Sequence, residues 1–312
     1  MNKFKLALIV SVSVLVFIGL LAYGDFREMG RIVSNYPKHY FLLALILALV
    51  NYGVRFIRWA YYLRILHVDI TFRASMLIFF SGLALSVTPG KVGEFFKCYF
   101  LKQKSDMPVA HSAAVVIMER LTDLVSVLMV GLTGLGIIPI EVLGVCCLLA
   151  GSLVGFVILF KSSLGNLLYR VPLVLKWKLQ IDASRSAFRV LLQVRALITA
   201  TLLGVVAWAS EGIALYLILK GLGVEDGLWL SVPVYAWSTI VGGLSAIPGG
   251  LVGTEVSMLA FLVNIGLAKG EAASAVLLIR LATLWFAVLL GLMAMGILYS
   301  GDNHVFKRLR RM

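Results

Sequence analysis

The chain has 312 residues, of which 61% are hydrophobic and 14% charged, with a formal net charge of +13. A soluble globular protein is excluded, because its apolar share is nearer ~45–50%. Nucleic-acid binding is a poor explanation of the charge, since the basic residues gather beside long apolar runs, where they set membrane orientation and meet anionic lipid. A transmembrane β-barrel would alternate apolar and polar residues, and this chain does not.

Taken in order, six runs are long enough for a helix to cross a bilayer, which takes about 20 residues. They cover 4–23, 39–63, 108–136, 140–160, 196–219 and 271–299. The first follows Lys3 and Lys5 and ends near a passable cleavage site, Ala22-Tyr23-Gly24. It is longer than a usual signal core and many spans follow, so it is read as an uncleaved first span. Two further apolar regions, 71–102 and 228–266, are broken by Pro-Gly. Each predicts two short helices meeting at mid-depth, a re-entrant hairpin, and such backbone is tolerated only in protein or beside a wet cavity. The fold class predicted is therefore all-α and polytopic, with six full spans and two broken hairpins. It forms a single membrane domain over 1–312, with a first half 1–160, a basic segment 161–195 and a second half 196–312.

Basic residues place both ends in the cytoplasm. Lys3 and Lys5 fix the N-terminus there, and the tail carries Lys307, Arg308, Arg310 and Arg311. Arg55, Arg58, Arg64 and Arg73 end the second span on the same side, followed by Lys102 and Lys104 after the first hairpin. Segment 161–195 mixes Leu, Val and Trp177 with seven basic residues. It is either an amphipathic stretch along the membrane surface or a loop that sets topology.

The broken regions repeat one phrase. Leu85-Ser86-Val87-Thr88-Pro89-Gly90-Lys91-Val92-Gly93-Glu94 returns as Leu244-Ser245-Ala246-Ile247-Pro248-Gly249-Gly250-Leu251-Val252-Gly253-Thr254-Glu255. The repeat extends downstream, where Glu119-Arg120-Leu121 matches Ile279-Arg280-Leu281. Pro89 and Pro248, Glu94 and Glu255, and Arg120 and Arg280 are 159, 161 and 160 positions apart. Three full spans lie between the hairpins, and an odd number reverses orientation. The halves therefore predict an inverted repeat, an architecture that places transport sites at the midplane.

Nine charges fall within these membrane segments: Lys91, Glu94, Lys97, Glu119, Arg120, Asp123, Glu211, Glu255 and Arg280. An Arg, Lys or Asp at the centre of a membrane helix costs ~2.5–3.5 kcal/mol on insertion scales, so they must pair, face water or bind a polar ligand. Glu119 and Asp123 share a helical face; Arg120 is offset by about 100° and is expected to meet a different neighbour. Lys97 lies near the hairpin's return and is expected to snorkel to the surface. Glu94–Arg120 and Glu255–Arg280 are either structural pairs or a headgroup site, in which the planar fork of arginine suits phosphate or carboxylate. The helix after Pro89-Gly90 would add its positive end and Lys91; the second copy has Gly249-Gly250 there. Glu211 is either a partner to a basic residue or a proton-coupling carboxylate. Asn51, Tyr52, Trp208, Tyr235, Trp237 and Ser238 are assigned to packing or the interface ahead of a cavity.

Cys98, Cys146 and Cys147 have no metal-type spacing, and His39, His67, His111 and His304 are scattered. No disulfide framework, metal site or cofactor is expected, and no nucleotide loop or catalytic motif is found.

The pieces Thr88-Pro89-Gly90-Lys91-Val92-Gly93-Glu94 with Glu119-Arg120-Leu121-Thr122-Asp123, and Pro248-Gly249-Gly250-Leu251-Val252-Gly253-Thr254-Glu255 with Arg280-Leu281, resemble the lysylphosphatidylglycerol synthase transmembrane-region family, also called flippase-like or UPF0104 membrane proteins. The resemblance covers nearly the whole chain. It implies movement of a lipid across the bilayer, and not lipid synthesis, for which the family's multidomain members use a separate soluble domain. The expected function is a flippase of the inner membrane, not an enzyme. Its substrate would be an anionic or zwitterionic (glyco)phospholipid or a polyprenyl-phosphate-linked lipid. Arg120 and Arg280 would hold the headgroup, with Glu94 and Glu255 gating. Expected partners are that lipid, anionic lipids at the basic segments, and a further copy or a lipid-synthesis enzyme. The alternatives are an accessory subunit or intramembrane enzyme of envelope lipid synthesis, which would form product alone, and a non-transporting scaffold.

Overall fold

The computed structural model describes residues 18–300, apart from 89–92, most of 135–177, 225–226, 246 and 248–249. Among the described residues the chain is all-helical. The breaks Pro89, Gly90, Pro248 and Gly249, the charge Lys91, the span 140–160 and the first part of segment 161–195 lie outside the described residues.

A short helix α1 (Phe26–Asn35) begins at Asp25, whose carboxylate accepts from the N–H groups of Arg27 and Glu28, satisfying donors that a first turn leaves open. Pro37 precedes α2 (Lys38–Ile65). Tyr36, between them, donates to the carbonyl of Ile218 at 3.2 Å, and burial pushes its phenol well above the ordinary range. The region predicted as the first hairpin forms α3 (Phe72–Leu83) and α4 (Phe96–Ser105). Next come α5 (Val109–Gly131), α6 (Lys178–Leu191) and α7 (Val194–Gly221). The second broken region gives α8 (Leu228–Leu244) and α9 (Gly253–Asn264). The last span is α10 (Lys269–Arg280), a π-turn (Leu281–Trp285) and α11 (Phe286–Ser300).

Among the described residues, three helical stretches are long and apolar enough to cross a membrane: Lys38–Ile65, Val194–Gly221 and Lys269–Ser300. At 1.5 Å per residue, 28 residues reach about 40 Å, more than the ~30 Å hydrocarbon core. Exposed Leu42, Leu43, Ile46, Leu49 and Val50 clothe one side of α2, and Ile198, Leu202 and Val206 one side of α7. Such apolar surface is at home in lipid.

The pair α2–α7 is the most extensive helix contact, and α5 packs on α6, α7 and α8. The two broken regions are each a packed pair, α3 on α4 and α8 on α9, and α3 also packs on α11. At that last contact a Cβ on Gly291 would stand 2.1 Å from the backbone N of Ala84. The two backbones touch where the first break begins. Gly291→Val should therefore unseat this region, at a cost of about 1–3 kcal/mol or more for forced overpacking. A lowered unfolding temperature with faster proteolysis near residue 90 is the expected reading.

Apolar packing falls into two main clusters. One gathers Tyr36, Leu128, Val130, Ile218 and Trp237; the other gathers Trp59, Tyr62, Phe79, Met118 and Phe188. On α5 the stretch from Glu119 to Asp123 falls between them. The bundle thus has an apolar core towards each end and a polar layer between.

Three expectations change here. Arg55 and Arg58 are buried rather than part of an exposed basic cluster, while Arg64 and Arg73 are exposed. The reason is register: Asn51, Arg55, Arg58 and Tyr62 follow Ala44 and Ala48 at three- and four-residue steps along the buried stripe of α2,. Within segment 161–195, residues 178–191 are not a loop. They form α6, docked on α5 with Ser184 Oγ donating to the carbonyl of Ala110 at 3.0 Å. Lys97 does not snorkel; it is 2% exposed and points inward.

Candidate functional site: a polar cavity between the two broken helices

Thr88 ties the first break together. Its Oγ1 donates to the Leu85 carbonyl and accepts from Gly93 N–H, both at 2.7 Å. A turn of 3₁₀ geometry then presents Glu94, and α4 begins. In the second break Ser245 Oγ donates to the Gly242 carbonyl at 2.7 Å. Gly250 there has φ 65° and Val252 φ 69°. Glycine adopts that conformation readily; for a β-branched valine it is strained, as is common where backbone is shaped for a task.

Charged groups converge behind these breaks. Lys97 Nζ lies 2.6 Å from Glu119 and 3.5 Å from Glu94, and 4.7 Å from the Trp59 ring centre, a cation–π contact. Glu94 is 3.2 Å from Arg120 Nη2. Asp123 is 2.6 Å from Arg58, 3.0 Å from Arg120 and 3.5 Å from Arg55. In the second half Arg280 Nε lies 2.6 Å from Glu255, and Tyr235 donates to Glu211 at 2.7 Å. Both carboxylate–arginine pairs suggested by the repeat thus form. Arg120 meets Glu94 as its separate neighbour, but it also reaches Asp123, contrary to the angular expectation. A long flexible side chain spans the i,i+3 step easily.

These groups border a cavity of about 400 Å³. Its walls include Ser86 and Thr88 from the first break, Gly250 and Thr254 from the second, and Arg120 and Arg280 from the helices that follow each. Tyr52, Arg55, Asp123, Trp208, Glu211 and Tyr235 add to its polar lining, with Thr239 and Thr283. Lys97, Glu94, Glu119 and Glu255 are not in the wall; Glu94 and Glu255 pair with the wall arginines, and Lys97 and Glu119 pair with each other behind Glu94. Asn51, Trp237 and Ser238 also stay out of the wall. Asn51 donates to the Ala207 carbonyl at 2.8 Å and Trp237 to that of Gly131 at 3.0 Å. Tyr52, Trp208 and Tyr235 were assigned to packing, and they line the cavity instead.

The cavity sits halfway along the long helices. Tyr52 is at the midpoint of α2, Arg120 near that of α5, and Leu284 near that of the last span. The π-turn widens the last span there, presenting Thr283 and Leu284 to the cavity, a distortion common at functional sites. Tyr52 OH donates to the Thr283 carbonyl.

Among the described residues the wall carries three cations, Arg55, Arg120 and Arg280, and two carboxylates, Asp123 and Glu211. Among the described residues, Arg55 Nε, Arg120 Nε and Nη2, and Ser86 Oγ are buried without a hydrogen-bond partner. The nitrogens are donors and the hydroxyl can donate. Unspent buried donors and a cationic surplus favour an oxygen-rich anion.

Arg55 and Arg58 were missed as site residues. Their signal was the three-residue spacing on the same stripe as Asn51 and Tyr52.

Comparison with known proteins then places the chain. The family described as the lysylphosphatidylglycerol synthase TM region matches residues 6–291. The chain belongs to that family. It is 24% identical to a UPF0104 membrane protein of Pyrococcus horikoshii, over 92% of this chain and 95% of that protein. A UPF0104 membrane protein of Methanocaldococcus jannaschii is 22% identical, over 94% and 95% of the two chains. One from Methanothermobacter thermautotrophicus is 30% identical over a shorter stretch, 42% of this chain and 37% of that protein. The chain is a membrane protein of this family, in keeping with its apolar helices.

Proposed function

We propose that the protein is a lipid transporter of the cytoplasmic membrane. It moves an anionic or zwitterionic (glyco)phospholipid, or a polyprenyl-phosphate-linked lipid, from one leaflet to the other. The observation that carries this reading is the mid-helix cavity, walled by both Pro-Gly-broken regions and by the arginine that follows each. A lipid headgroup needs a polar path through hydrocarbon, and its tails do not. A cavity with arginine forks and unspent donors supplies the first, and the apolar outer faces leave the second in lipid.

In this reading α3–α4 and α8–α9 are re-entrant hairpins of an inverted repeat, entering from opposite sides. Six full spans accompany them, with both termini in the cytoplasm. Arg120 and Arg280 hold the headgroup; Glu94 and Glu255 hold the arginines and gate the two ends. The basic segments meet anionic lipid. The chemistry is transport and not catalysis: the buried carboxylates are tied to cations or to Tyr235, and headgroup binding needs no bond to be made or broken.

Purified protein in liposomes carrying one labelled candidate lipid in the inner leaflet should expose that lipid to a membrane-impermeant quencher faster than empty liposomes. Failure with every candidate, while a known scramblase works in the same vesicles, would sink the proposal.

A further inference from the structure

Asp123 lies in the cavity wall with three arginines around it, and the three contacts are unequal. Arg58 is fully buried and donates to Oδ1 at 2.6 Å. Arg55 donates to Oδ2 at 3.5 Å. Arg120 Nη2 is 3.0 Å from Oδ2, close enough for a strong charge interaction, yet it forms no aligned hydrogen bond among the described residues. Arg120 is also the most accessible of the three, with its side chain 25% exposed. The Asp123–Arg120 contact is therefore the one most easily exchanged.

We infer that Asp123 is an internal counter-anion, occupying on Arg120 the place that a phosphate ester of the lipid headgroup takes when the site loads. The assignment rests on the transport reading above and names the competitor built into its site. Three arginines around an empty wall would repel one another, and once filled would hold an anion too tightly to release it. A transport site must bind and let go. With Asp123 present, loading exchanges one oxyanion for another on Arg120. Asp123 keeps Arg58 and Arg55 when it yields Arg120, so no buried charge is left alone, which would be the expensive outcome. Glu94, 3.2 Å from Arg120, keeps the guanidinium from swinging away during the exchange. Ser86 Oγ and Arg55 Nε add donors in the same wall. The competitor also selects: a neutral sugar or hydroxyl cannot displace a carboxylate from an arginine, whereas a fully charged group with two free oxygens can. That is the chemistry of a phosphate mono- or diester.

The test is calorimetric binding of two short-chain lipids, dihexanoyl phosphatidic acid and dihexanoyl phosphatidylglycerol, to the detergent-purified full chain. Asp123→Asn should bind at least one of them about tenfold more tightly, within the roughly 5- to 150-fold usual for coupled sites. That substitution leaves Arg58 short of its anion. The paired variant Arg58→Met/Asp123→Asn, which removes both buried charges together, is therefore measured beside it and should show the same gain. In an Arg120→Gln background the gain should vanish, since Asp123 acts by occupying Arg120. Unchanged or weaker binding in both Asp123 variants, with Arg120→Gln still weakening the parent protein, overturns the counter-anion and leaves the headgroup reading standing. Loss of folded protein in both variants also overturns it, because Asp123 is then a structural partner only. If neither lipid binds, or Arg120→Gln has no effect, the headgroup reading itself falls.

Discussion

Lys97→Met should lower the stability of the protein by about 3–5 kcal/mol, the usual penalty for removing one partner of a buried ion pair. Glu119 is 1% exposed and pairs with Lys97 at 2.6 Å. Without the lysine its carboxylate is a buried charge that has lost its ion-pair partner, and Glu94 loses a partner as well. The methionine fills most of the same volume beside Trp59 and Phe79, so the loss is electrostatic rather than steric. Equilibrium unfolding in mixed micelles, followed by helix content, measures it. The double variant Lys97→Met/Glu119→Gln should recover most of the loss, because removing both charges together leaves neither uncompensated. A double variant no better than the single one would locate the lysine's value in its contacts with the two aromatic rings.

The second large effect is on transport. Arg120→Gln should slow lipid movement about 10- to 100-fold at normal abundance, as expected for losing hydrogen bonds to a charged ligand, each worth about 1.5–3 kcal/mol. Arg280→Gln should do the same, but it strands Glu255, which is 2% exposed. The informative form is therefore Arg280→Gln/Glu255→Gln, which removes the pair as a unit. Arg280→Lys keeps the charge, loses the planar fork and should fall between. Rates are read from liposomes with the transported lipid, and abundance from the same membranes. If charge-neutral changes at Glu94, Arg120, Glu255 and Arg280 lower abundance and leave the rate per molecule intact, the pairs are scaffolding and the transport assignment of these residues fails.

Much of the site was legible in the sequence, for a reason that can be stated. Charges are so costly in apolar helices that their presence alone announces partners, and a duplicated phrase pairs them by position. Glu94 with Arg120 and Glu255 with Arg280 could be matched from the repeat alone, and the structure forms both contacts. Arg55 and Arg58 were harder. A basic residue near the end of an apolar run ordinarily marks the cytoplasmic edge, and that rule outweighed the helical spacing placing both on the buried stripe with Asn51. Lys97 was misplaced by similar reasoning: a long aliphatic stem permits snorkelling, and nothing local reveals that Glu119 waits on another helix.

The sequence by itself determined a helical membrane protein, the bounds of the long helices among the described residues, the two breaks and which residues could not remain unpaired. These follow from composition, from the 3.6-residue period and from the cost of charge in hydrocarbon, all properties of short stretches. Only the tertiary structure decided that Asp123 gathers three arginines, that Lys97 serves Glu119 and Glu94 together, and that Tyr52, Trp208 and Tyr235 face a cavity. Each depends on the rotation and register of one helix against another. Packing of small residues such as Gly291 against Ala84 sets these, and no single segment encodes them.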